Sequence, residues 1–96
     1  MQNTTYTALI TGGAQGIGKA ICLQLLAEGW RVVLADRDEE AGLETVTELR
    51  GQGEIEFIRT DVSQEAQVQA AVAQAADASA PLKALVNNAG IANPFN

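Results

Sequence analysis

The stretch TGGAQGIG at residues 11–18 places four glycines in eight positions, between two different periodicities. Before it, residues 6–11 (YTALIT) are short, apolar and β-branched, as a strand requires. After it, Ile17, Ala20, Ile21 and Leu25 recur at helical spacing, and Gly29 stands where a helix closes on a left-handed residue. A strand that passes through a sharp glycine turn into a helix is the opening of a βαβ unit.

The alternation continues. Residues 31–36 (RVVLAD) have a continuous apolar centre, which predicts a strand buried on both faces. The acidic run that follows suits a helix N-terminus, and Gly51 or Gly53 ends that helix. Residues 54–59 form a third strand, with Phe57 in the core. Ser63 is the expected N-cap of a helix that carries Val68, Ala71, Val72 and Ala75 on one face. Residues 82–87 (LKALVN) are a fourth strand, and residues 88–96 read as a loop. The order β-α-β-α-β-α-β forces parallel strands, with helices on both faces. The expected fold class is α/β, half of a doubly wound parallel sheet. At 96 residues the chain is one domain at most.

The glycine turn is a phosphate site on physical grounds. Glycine permits close approach of the backbone, and the N–H groups and dipole of the following helix face an anion. Gly12 makes the turn, Gly16 allows close approach, and Gly18 lets the helix pack on the strand. Two phosphate motifs overlap here. Residues 13–19 read G-x-x-x-x-G-K, most of a P-loop, but Ala20 replaces the Ser or Thr that would hold Mg²⁺. Lys19 is then a solvated residue of the first helical turn. The literal G-x-G-x-x-G spacing also fails. Asp36, at the end of the second strand, is placed to accept hydrogen bonds from both hydroxyls of an adenosine ribose. It would repel a 2′-phosphate, which favours NAD over NADP. Arg37 beside it is a group that accommodates a phosphate, so both dinucleotides stay open. An S-adenosylmethionine site also wants an acid after the second strand, but Thr11 and Gln15 stand where that fold brings an acid into its turn.

TGGAQGIG resembles the TGxxxGxG turn of the short-chain dehydrogenases/reductases, whose fold is of Rossmann type. Asp36 matches the acidic position of the NAD-preferring members. Asp61-Val62 resembles the adenine-contacting pair after the third strand, and NNAG at residues 87–90 resembles the family motif after the fourth. The resemblance implies that Gly12 and the backbone of Gln15, Gly16, Ile17 and Gly18 take the pyrophosphate and nearby ribose. It further implies that Asp36 binds the adenosine ribose and that Asp61 and Val62 hold the adenine. Asn88, Ala89 and Gly90 would line the cofactor, while Asn87 braces the sheet. The activity implied is hydride transfer between a nicotinamide and a small alcohol or carbonyl.

Composition sets limits on partners. A net charge of −6 disfavours nucleic acid and anionic membrane surfaces. With no histidine, a Ser-His-Asp mechanism and a His-ligated zinc site are excluded for these residues, and no metal site is expected. The single cysteine, Cys22, reads as a small buried hydrophobe. With no signal peptide or membrane span evident, the expected location is the cytoplasm.

Residues for the chemistry itself are absent from the sequence. The family uses a Ser, a Tyr-x-x-x-Lys pair and a helical Asn beyond the NNAG motif. Here the only tyrosine is Tyr6, and neither Lys19 nor Lys83 follows a tyrosine at that spacing. Ser63 and Ser79 flank the third helix, away from the ligand-binding ends of the strands. The expectation is an incomplete dinucleotide-binding domain over residues 1–96, a truncated product or fragment that is inactive alone. Its substrate would be engaged only in a full-length form. The alternative is a non-catalytic nucleotide-binding or association module. An exposed fourth strand would invite self-association.

Overall fold

The computed structural model describes residues 5–12, 14, 16–76 and 79–88. The elements run β1 (Thr7–Thr11), α1 (Gly16–Ala27), β2 (Arg31–Asp36), α2 (Glu39–Leu49), β3 (Ile55–Arg59), α3 (Glu65–Ala75) and β4 (Leu82–Asn87). A turn of 3₁₀ helix at Arg50–Gln52 follows α2 and closes at Gly53. The four strands form one parallel sheet in the order β3-β2-β1-β4. The expected parallel α/β alternation is therefore present.

The two central strands are buried almost throughout, as their unbroken apolar centres require. Side chains alternate between two layers. Ile10, Val32, Leu34 and Ile55 pack with Cys22 and Leu26 of α1 and Val46 and Leu49 of α2. Leu9, Val33 and Ala35 pack with Ala71 and Ala75 of α3 on the opposite face. Burial of each such Leu, Ile or Val contributes about 1.5–3 kcal/mol against chain entropy. Cys22 is buried in the first layer, and loss of solvent pushes its thiol up to about 12.

Local chemistry fixes the ends. Helix α1 closes through a paired motif in which Gly29 N–H donates to the Leu26 carbonyl and Trp30 N–H to that of Leu25. Gly29 has φ +90°, which that closure needs. Helix α2 starts at Asp38, whose carboxylate accepts from Ala41 N–H at 3.0 Å. Gly42 lets α2 lie directly on Phe57 of β3, since a Cβ there would overlap the ring. Phe57 is half-buried under that contact rather than fully in the core.

Two details depart from the sequence reading, and a third was not read from it. The buried stripe of α1 is Gly18, Cys22 and Leu26, whereas Ile17 and Ala20 are exposed. The helix is rotated so that Gly18 lies on its buried side, which turns Ile17 outward. Helix α3 is entered at Gln64, without a side-chain cap. The Ser63 hydroxyl is engaged elsewhere, by Asp61 at 2.7 Å. Finally, β4 carries a register shift against β1, so that Thr7 pairs with Leu82 and Ala8 with Ala84. The extra residue sends Leu82 to the α3 layer and Val86 to the α1 layer, although both have even numbers.

The registers align the strand ends. Thr11 pairs with Ala35 and Asn87, and Asp36 pairs with Arg59. The carboxyl ends thus form one rim. Strand order reverses beside β1, which leaves a crevice at that rim.

Candidate functional site

A cleft of about 310 Å³ opens at this rim, lined by Gly12, Asp36, Arg37, Thr60, Asp61, Val62 and Ser63. The end of β1 supplies Gly12, the end of β2 supplies Asp36 and Arg37, and the residues after β3 supply the rest. Four of the sequence-selected residues, Gly12, Asp36, Asp61 and Val62, are therefore brought together.

Gly12 and Gly16 both adopt the left-handed backbone, at φ +66° and +59°. A Cβ at Gly16 would meet nothing within 4 Å, so conformation rather than crowding selects glycine there. Gly16, Ile17 and Gly18 form the first turn of α1, whose leading N–H groups lack intrahelical partners by geometry. Gly18 is buried, and Ile17 is exposed beside the turn. Gln15, Ala89 and Gly90 lie outside the described residues.

Asp36 fastens the turn. Its carboxylate accepts from Ala14 N–H at 3.3 Å and from Asp38 N–H at 3.0 Å. Each oxygen retains lone-pair capacity for a further donor. Asp61 is half-buried and accepts from both the hydroxyl and the N–H of Ser63, at 2.7 and 3.0 Å. The Ser63 hydroxyl, then its N–H, hold the Asp61 carboxyl below the usual carboxylate value. Arg37 and Arg59 add to this, and partial desolvation opposes it. Val62 is 42% exposed on the wall of the cleft.

Asn88 ties the end of β4 to the glycine turn. Its side-chain N–H₂ donates to the Gly12 carbonyl at 2.9 Å, and its backbone N–H donates to the Thr11 hydroxyl at 3.1 Å. Its Oδ1 is buried and has no hydrogen-bond partner among the described residues. The Thr11 hydroxyl lies 3.0 Å from Asn87 Oδ1, so Asn87 braces β1 against β4.

Other positions differ from the sequence reading. Lys19 is not simply solvated: it pairs with Glu48 of α2 at 2.8 Å. A P-loop lysine would face the phosphates, so that motif is not realised. Ser63, expected away from the strand ends, lines the cleft, because the loop after β3 folds back over the rim before α3 begins. Thr60 was not singled out by sequence. It is buried at the end of β3, and its N–H donates to the Asp36 carbonyl at 2.9 Å. Its position immediately after a strand carboxyl end was the available signal. Among the described residues no cluster of metal-ligating side chains occurs, and no helix is long and apolar enough to cross a membrane.

Known proteins share this arrangement. The family model described as short chain dehydrogenase matches residues 6–96. A cyclopentanol dehydrogenase of a Comamonas species is 45% identical over 84 residues, covering 86% of this chain and 34% of that protein. A short chain dehydrogenase/reductase from Burkholderia phymatum, solved in complex with NAD, superposes with a TM-score of 0.79 at 40% identity. It covers 85% of this chain, which covers 30% of it. The NADP active-site complex of Pseudomonas aeruginosa RhlG gives a TM-score of 0.79 at 40% identity, over 91% of this chain and 35% of that one. The chain thus spans about a third of the length of most of the curated relatives and structures it matches. With its parallel sheet, glycine turn and family match over nearly all its residues, the chain belongs to the short chain dehydrogenase family.

Proposed function

We propose that this chain is the cofactor-holding part of an oxidoreductase that interconverts an alcohol and a carbonyl compound by hydride transfer. The observation that carries the reading is one cleft, at the carboxyl ends of the strands, built from a left-handed glycine turn and two carboxylates. The complexes of structural relatives with NAD and with NADP support it. The alcohol named for the Comamonas relative supports the substrate class.

The residues fit a dinucleotide. Gly12, Gly16 and the first N–H groups of α1 offer donors to a pyrophosphate. Asp36 accepts from the ribose hydroxyls, and its charge selects NAD over a 2′-phosphorylated cofactor. Asp61 accepts from the adenine amino group, with Val62 against the ring. The orphan Asn88 Oδ1 is an acceptor beside Gly12 that a ligand hydroxyl or water would satisfy. Gln15, Ala89 and Gly90 complete the proposed set. The bound nicotinamide would supply or accept the hydride. The residues of this chain bind and orient it, since its sequence contains no Tyr-x-x-x-Lys pair to move a proton. The cytoplasm is the proposed location.

Association is a second role favoured by a specific feature. Among the described residues β4 pairs only with β1, and its Leu85 is 56% exposed. That edge is suited to another strand, from this polypeptide or a second copy.

Calorimetric titration of the chain with NAD and NADP tests the cofactor role. Saturable NAD binding, weaker NADP binding and about tenfold weaker NAD binding by Asp36→Ala are expected. Unchanged affinity in Asp36→Ala would overturn the ribose assignment.

A further inference from the structure

The glycine turn is gripped from behind by a helix that is distant in sequence. Ala14 sits between the two left-handed glycines, Gly12 and Gly16, and is 3% exposed. Both of its backbone polar groups are held from outside the turn. Its N–H donates to Asp36 Oδ2 at 3.3 Å. Its carbonyl accepts from the hydroxyl of Thr45, on α2, at 2.7 Å. Thr45 is itself 3% exposed, so this bond is shielded from water. One helical turn further along α2, Glu48 pairs with Lys19 on the first turn of α1 at 2.8 Å. Helix α2 therefore fixes both the turn and the helix start that follows it.

Two left-handed glycines in one short turn give it freedom that an anion site cannot use. Donors help a phosphate only when already aimed at it, because orienting them on binding costs affinity. A fixed Ala14 between the glycines removes that freedom. We infer that Thr45 is a positioning residue for the phosphate-facing turn: its hydroxyl pre-orients the backbone around Ala14 and so sets affinity for the pyrophosphate. The inference rests on the dinucleotide reading and goes beyond it, since Thr45 lines no part of the cleft.

The consequence is selective. Loss of the hydroxyl leaves the Asp61–Val62 side of the cleft intact but loosens the turn. Ligands with a diphosphate should suffer, and adenosine alone should not. NMR titration of the full chain with ADP and with adenosine separates the two. Thr45→Val removes the hydroxyl at nearly constant volume and should weaken ADP about five- to tenfold, the loss of one buried hydrogen bond. Adenosine affinity should stay within about twofold. Thr45→Ser restores the hydroxyl and should restore ADP affinity. Should Thr45→Val fold poorly, Thr45→Ala removes the same donor without crowding the carbonyl, and the same split is expected. Equal weakening of ADP and adenosine, or wild-type ADP affinity in a folded Thr45→Val or Thr45→Ala, would overturn the inference. Wild-type chain that binds neither ligand would overturn the dinucleotide reading beneath it.

Discussion

Strand β1 carries a threonine at each end, and the two live in different chemistry. Thr7, at the amino rim, donates to the Ala80 carbonyl at 2.6 Å and accepts from Arg31 at 2.9 Å. Arg31 also donates to the Ala75 carbonyl and pairs with Glu54 and Glu56 at 3.2 and 3.3 Å. Its side chain is only 8% exposed, so the charge is enclosed by its own partners. Thr11, at the carboxyl rim, meets Asn87 and Asn88. Among the described residues Asn88 Oδ1 has no partner, two glycines hold left-handed turns, and Asp36 and Asp61 line an open cleft. The amino rim spends its polar groups on one another. The carboxyl rim keeps acceptors and backbone donors for something else. That contrast locates function more firmly than either rim considered alone.

The contrast can be broken by substitution. The largest effect is expected at the closed rim. Arg31→Ala should lower unfolding free energy by about 2–3 kcal/mol, since Thr7 and the Ala75 carbonyl lose a donor and the ion pairs to Glu54 and Glu56 are lost. Dinucleotide affinity of the remaining folded protein should not change. Denaturant unfolding alongside ligand titration measures both, and a loss of affinity would show that the rims are coupled.

The two threonines sharpen the test. Thr7→Val should cost about 1–2 kcal/mol, because the Ala80 carbonyl is left buried without its donor. Thr11→Val should cost no more in stability and should also weaken NAD, since Asn88 N–H loses its acceptor and Asn88 holds the Gly12 carbonyl. Equal NAD affinities for the two variants would remove the distinction between the rims.

The smallest effect is a matter of pH. Asp61 has a lowered folded-state value, so its contribution is fully present above its ordinary value of 3.8 and is lost as the pH falls through the lowered one. Thermal unfolding followed from pH 5 downward should show a slightly shallower acid loss in Asp61→Asn than in wild type. The same slope in both would mean that the Ser63 contacts do not favour the charged form.

The sequence made the periodic parts of this fold legible. Strand and helix alternation, the glycine turn, the closure at Gly29 and the place of Asp36 all follow from local rules. Asp36, Asp61 and Gly12 meet in one cleft because parallel crossovers bring the carboxyl ends of successive strands to one rim. Partnerships formed across the fold were not legible. Ala14 and Thr45 are 31 positions apart, and neither residue type announces the other. Ser63 satisfied every local requirement of a cap, yet Asp61 two residues earlier claimed its hydroxyl. Ile17 fitted the helical stripe, but α1 turns Gly18, Cys22 and Leu26 to the buried side instead. Local patterns specify elements, whereas competition among tertiary partners specifies which donor meets which acceptor.

The central claim is that the carboxyl rim holds a dinucleotide and the amino rim does not. Backbone amide NMR of the isotope-labelled chain, titrated with NAD, tests it most directly. Gly12, Ala14, Gly16, Asp36, Asp61 and Asn88 are expected to shift and saturate together. Tyr6, Trp30, Arg31 and Glu54 are expected to stay in place. Shifts confined to the amino rim, or no saturable shift at Gly12 and Asp36, would contradict the account.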